Sequence, residues 1–121
     1  MSLAFTLSLR TKNPNNGAMG FSRNAAFAKV RARKAERSAA WAATLSAVGL
    51  TPALPVRVTV CRVAPSNGLD PHDGLGAALK GCIDGIADGL GLKNDRDPRV
   101  TWVLEQRRGP WGVDVRIEAR P

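Results

Sequence analysis

One histidine and two cysteines are all the imidazole and thiol groups that this 121-residue chain offers a metal. Cys61 and Cys82 stand singly in apolar patterns, without the paired Cys or Cys/His spacing of a zinc site, and are expected as reduced core residues. Long hydrophobic runs are missing too. Nothing approaches the roughly 18 apolar residues of a membrane span, and the apolar N-terminal segment is short and alternating. A soluble, cytosolic protein is the expectation. No internal repeat is visible. Acid is scarce, with 10 carboxylates against 18 lysines and arginines, a formal charge of +8 and a pI near 10.8. That balance makes nucleic acid or an anionic surface the first partner to consider. The length fits one domain, residues 1–121, small enough that a homo-oligomer is a natural expectation.

The scarce acid is concentrated. Six of the ten carboxylates, Asp70, Asp73, Asp84, Asp88, Asp95 and Asp97, lie between Leu69 and Arg99. Around this window the chain reads as a small α/β (α+β) domain. Leu3, Phe5, Leu7 and Leu9 alternate with smaller or polar residues, the period of a half-buried strand. Residues 11–20, rich in Asn, Gly and Pro, form a flexible loop. From Phe21 to Val48, alanine and base without Pro or Gly predict a long helix, with Phe27, Val30, Trp41, Leu45 and Val48 on one face. Within it Lys29, Arg31, Arg33, Lys34 and Arg37 face a single acid, Glu36. These bases either form a solvated face over the core or lie against DNA phosphates.

A second strand follows at Pro55–Val63, with Val56, Val58 and Val60 on one side. A second helix spans about Gly74 to Leu90. Val100, Trp102 and Leu104 mark a third strand, and Val113, Val115 and Ile117 a fourth. The turn Gly109-Pro110-Trp111-Gly112 suggests that the last two form an antiparallel hairpin. The order strand, helix, strand, helix, strand, strand predicts a mixed sheet with two packed helices.

The second helix has three faces. Leu75, Leu79, Cys82, Ile83, Ile86 and Leu90 form the core stripe. Asp73, Lys80 and Asp84, spaced by seven and four, form an acid-base-acid row. Taken separately, Asp73 could cap the helix, Lys80–Asp84 could be a surface ion pair and Asp88 a surface charge. Gly81, Gly85 and Gly89 form the third face, although each glycine costs about 1 kcal/mol against alanine in a helix. Such a stripe implies close approach by a helix, a partner subunit or DNA. The alanines Ala28, Ala32, Ala35, Ala39 and Ala42 of the first helix are the expected counterpart, within or between subunits.

Carboxylates converging at a loop-to-helix junction offer the hard oxygen donors that Mg²⁺ or Mn²⁺ takes beside a phosphate, though clustered aspartates also serve as caps and turns. Residues 69–106, with LDPHDGLGAALKGCIDGIADGLGL, NDRDPRV and Trp102 to Gln106, resemble the RusA family of Holliday junction resolvases, especially its phage-type members. The resemblance implies a homodimeric, Mg²⁺-dependent endonuclease that resolves four-way DNA junctions by paired nicks, in a bacterial or phage-infected cell. It would make Asp70, Asp73 and Asp95 metal-binding or catalytic acids and Lys80 a phosphate-facing base. Asp84, Asp97 and His72 would be outer partners or alternate ligands, and the basic first helix, with Arg57, Arg62, Arg107 and Arg108 as weaker candidates, would bind branched double-stranded DNA. The chain departs from the family pattern at Pro71-His72, between the first two acids, and at Gly74 and Asn94, with Lys93 as an insertion. A junction- or duplex-binding protein of the same fold without cleavage is the alternative. A further rival is an RNA-associated protein using Trp102 and Trp111 to stack on bases, against core packing for both.

Overall fold

Four alternating segments and two helices give the expected order. The computed structural model describes residues 2–11, 23–49, 54–66, 68–69 and 74–120, with residues 23–26 in backbone only. The elements are β1 (Ser2–Leu7), α1 (Arg23–Val48), β2 (Val56–Ala64), α2 (Gly74–Gly89), β3 (Val100–Arg108) and β4 (Gly112–Ala119). They form a small α+β domain whose four-stranded mixed sheet runs β1-β4-β2-β3. β4 is antiparallel to both β1 and β2, and β2 is parallel to β3.

The last two strands do not form the hairpin that their turn suggested, because β2 lies between them. Residues 109–111 carry the chain over the end of β2, where Gly109 N donates to Ala64 O at 3.0 Å. Three residues can span the roughly 10 Å that separates strands two places apart. Burial favours this order. β2 is buried at every position but Arg57 and suits the interior, whereas β3 exposes Thr101, Glu105, Arg107 and Arg108 and suits an edge.

The β1-α1-β2 and β2-α2-β3 crossovers step across the sheet in the same direction, so right-handed connections place both helices on one face. There the expected inward residues of the strands meet Leu75, Leu79, Cys82, Ile83 and Ile86 in one core. Both cysteines are free and buried. No described helix is long and apolar enough to cross a membrane.

The first helix turns differently from its hydrophobic pattern. Phe27, Val30 and Trp41 are 53%, 50% and 46% exposed, so the expected apolar face is largely outside. The glycine stripe of α2 instead meets α1 along Arg33, Glu36, Arg37, Ala40 and Thr44. A β-carbon at Gly81 would lie 2.8 Å from Glu36 Oε2, at Gly85 against the carbonyl oxygen of Arg37 and 2.7 Å from Ala40 Cβ, and at Gly89 2.6 Å from Thr44 Cβ. Close contact between the helices therefore occurs within the chain. The expected counterpart face is not the one used: Ala28, Ala32, Ala35 and Ala42 are exposed, while Ala40 and Thr44 are buried. What the glycines admit is the backbone of α1, whose carbonyl oxygens at Arg33, Arg37 and Trp41 lie against the stripe.

Candidate active site

The row on α2 becomes a cluster because the next loop folds back. Helix α2 ends through Gly91, at φ +77, a conformation that suits glycine. Gly91 N donates to Asp88 O, Leu92 N donates to Ala87 O, each at 3.0 Å, and Leu92 is buried. The reversal returns Asp95 to the helix, where Trp102 Nε1 holds its carbonyl oxygen at 2.9 Å. Lys80 Nζ then lies 3.0 Å from Asp84 Oδ1 and 3.0 Å from Asp95 Oδ2.

Electrostatics shift the titration of Lys80 and Asp95 in opposite directions. Burial pulls the Lys80 ammonium down, but hydrogen bonds to Asp95 and Asp84 outweigh it and leave its pKa raised. The hydrogen bond from Lys80 lowers the Asp95 pKa in return. The group lines an open cleft of about 330 Å³ together with Arg37, Asp88, Lys93 and Arg96.

Among the candidate site residues, Lys80, Asp84 and Asp95 come together. Asp84 is a partner of Lys80, as the helical spacing implied. Asp70, His72 and Asp73 lie outside the described residues. Asp97 makes a turn: its Oδ1 accepts from Arg99 N at 2.9 Å, and its Oδ2 lies 2.8 Å from Arg99 Nη2. Those hydrogen bonds hold its carboxyl down to about 2. Among the described residues, no three carboxylate, cysteine or histidine side chains converge as a metal group. Asp84 and Asp95 are hard oxygen donors of the kind a divalent ion takes, and each already gives one carboxylate oxygen to Lys80.

The basic helix divides in two. Lys29, Arg31, Arg33 and Lys34 are exposed. Arg37 turns back, its Nε 2.6 Å from Asp88 Oδ2 and its Nη2 2.9 Å from Asp88 Oδ1, a two-pronged pair that bridges the helices. Asp88, read in isolation as a surface charge, anchors it. Arg62, a weaker DNA candidate by sequence, is only 4% exposed, so it is a core residue rather than a surface contact.

Several roles escaped the sequence reading. Lys93 and Arg96 border the cleft on the loop after α2. At the other end of the sheet, Arg62 and Gln106 are cross-strand neighbours on the helix side. Arg62 Nε donates to Thr11 O at 3.1 Å, and its guanidinium lies 5.5 Å from the Trp111 ring centre. Gln106 accepts from Leu69 N at 2.8 Å and donates to Leu69 O at 2.7 Å. The available signal was polarity at inward strand positions, since a buried polar side chain requires a partner.

Compared with protein-family models and with curated proteins, the chain matches none.

Proposed function

We propose that the protein is a Mg²⁺-dependent endonuclease that acts as a homodimer on four-way DNA junctions, in the cytoplasm of a bacterial or phage-infected cell. The observation that supports this reading best is the Lys80–Asp84–Asp95 cluster in a cleft bordered by further bases. It is carried by the helix whose first residue, Gly74, follows Asp73 directly in sequence. A homodimer would present two symmetric sites to a two-fold substrate.

Asp70, Asp73 and Asp95 are the residues that would hold Mg²⁺ or Mn²⁺. The ion, when bound, supplies charge stabilisation at the scissile phosphate and a more acidic water. Lys80, kept charged by its two carboxylates, offers its ammonium to a phosphate oxygen. Asp84 keeps that ammonium in place. Lys29, Arg31, Arg33 and Lys34, with Lys93 and Arg96 beside the cleft, hold the DNA through its backbone and read no sequence.

Junction or duplex binding without cleavage is the second reading. It is favoured by the ion pair that occupies Asp95 and by the departures at Pro71-His72, Gly74 and Asn94. A synthetic four-way junction incubated with and without Mg²⁺ separates the two, with Asp73→Asn as the control. Metal-dependent nicking by the wild type, abolished in Asp73→Asn, is the expected result. Binding without nicking selects the second reading, and equal nicking by both proteins removes Asp73 from the site.

A further inference from the structure

Helix α1 leaves outside the kind of side chain that a helix ordinarily buries. Phe27, Val30 and Trp41 are each half-exposed. Phe27, Lys34 and Trp41 follow one another at intervals of seven residues, so they lie along one line of the helix, with Val30 beside it. That line points away from the sheet. Ala43, which packs on the core, is on the opposite side, and the residues that meet the glycines of α2 are about a quarter turn round. Arg31 and Arg37 flank the line, and Arg37 also borders the cleft of Lys80, so the aromatic line runs beside the candidate site.

An apolar line on a helix is covered by a second copy, a membrane surface or the bases of a nucleic acid, and charge chooses among them. The only acid of α1, Glu36, is turned to α2, where a β-carbon at Gly81 would lie 2.8 Å from its Oε2. A second α1 laid on this line would bring bases to a helix that has no free acid to pair them. A membrane takes a continuous apolar face, whereas the exposed Lys34 and Ser38 interrupt the line between Val30 and Trp41. Separate rings set among bases suit a polyanion that carries flat apolar groups of its own. In a duplex those base faces are already stacked on one another and would leave the rings uncovered.

We infer that α1 binds DNA with unpaired bases: Trp41 and Phe27 stack on the bases while Arg31 and Lys34 hold the adjoining phosphates. The inference rests on the reading of α1 as the DNA-binding helix, and it narrows the ligand from any phosphate backbone to one that exposes base faces.

The test is the affinity of the full chain, by fluorescence anisotropy, for a single-stranded oligonucleotide, for its abasic counterpart of equal length and for the matched duplex. The base-bearing oligonucleotide binds more tightly than the abasic one. Trp41→Ala weakens the base-bearing complex about 5- to 150-fold, the loss of one stacked ring. The abasic complex stays within about twofold and the salt slope is unchanged, because the phosphate contacts remain. Trp41→Phe recovers most of the affinity. Phe27→Ala repeats the pattern and carries the test if Trp41→Ala does not fold. Equal affinity of the wild type for the base-bearing and abasic oligonucleotides overturns the inference and leaves backbone binding by α1 standing. A loss in Trp41→Ala that is the same for both marks a merely structural role and also overturns it. Trp41-dependent binding to phosphatidylserine vesicles, or a dimer that Trp41→Ala breaks, with oligonucleotide affinity unchanged in that variant, overturns it in favour of a membrane or a second copy. A chain that binds neither oligonucleotide, duplex nor four-way junction overturns the DNA reading and this inference with it.

Discussion

Substituting Gly85 by alanine tests whether the two helices meet through their backbones. In an isolated helix the change gains about 1 kcal/mol, because alanine loses less backbone entropy. Here the new methyl would meet the carbonyl oxygen of Arg37 and lie 2.7 Å from Ala40 Cβ. Neither is the free end of a flexible side chain, so α1 must move away by about 1 Å to restore an ordinary carbon–carbon separation. A gap of that size loses roughly a quarter to a half of each dispersion contact it opens, and overpacking of this kind costs about 1–3 kcal/mol. At the upper end, set against the propensity gain, the net loss is about 2 kcal/mol, a fall of about 8 °C in Tm for a domain of this size. Gly76 is the internal control, because a β-carbon there meets nothing within 4 Å. Gly76→Ala should gain up to about 1 kcal/mol. Thermal and urea unfolding of the two variants in parallel decides the matter. If Gly85→Ala were as stable as Gly76→Ala, α1 would not sit on the glycine stripe and the described helix pairing would be wrong.

Arg31→Ala with Lys34→Ala should reduce the slope of log affinity against log salt for DNA by about 2, read by fluorescence anisotropy. Arg37→Ala should leave that slope nearly unchanged and lower stability instead, because its guanidinium is held by Asp88. The sign of the pH dependence at Lys80 follows from the two shifts. Asp95, whose folded pKa is lowered, stabilises above its unfolded value near 4 and loses this as pH falls through the folded one. Lys80, whose folded pKa is raised, stabilises below its unfolded value near 10.4 and loses this as pH rises through the folded one. Lys80→Met should therefore flatten the unfolding profile at both ends, most visibly in acid. Asp97 should titrate at about 2 by carboxyl NMR and return toward about 3.9 in Arg99→Ala. The Cys82 thiol, pushed up to about 12 by burial, should resist alkylation at pH 8 until the protein unfolds.

The element order was legible because period two and period 3.6 are local signals. The core was too: Val56, Val58 and Val60, the inward residues of β4 and the Leu75-to-Leu90 stripe are all buried. Strand neighbours were not legible, since Gly109 and Pro110 signal a turn in either topology and burial along β2 chooses between them. The orientation of α1 misled for a different reason. Its pattern contains Phe27, Val30 and Trp41, but the contact with α2 is set by glycines on the other helix, so no reading of α1 alone could find it. Within the site, Lys80 and Asp84 were found by helical spacing. Asp95 joined them through the Gly91 reversal at the helix end and the bond from Trp102 of β3 to its carbonyl oxygen.

The acid window also changes meaning once its partners are known. Acid in a basic protein suggested a cation held between the chain and a polyanion, but for each described aspartate of the window the chain supplies its own. Asp84 and Asp95 share Lys80, Asp88 holds Arg37, and Asp97 holds Arg99. These pairs cancel much of the local negative field at the range of a phosphate contact, so the window does not oppose DNA beside Lys29, Arg31 and Lys34. They also limit what Asp95 can give a divalent ion, because Lys80 already holds one of its oxygens. In the endonuclease reading, strong metal binding then cannot rest on Asp95 alone and needs carboxylates beyond the Lys80 cluster.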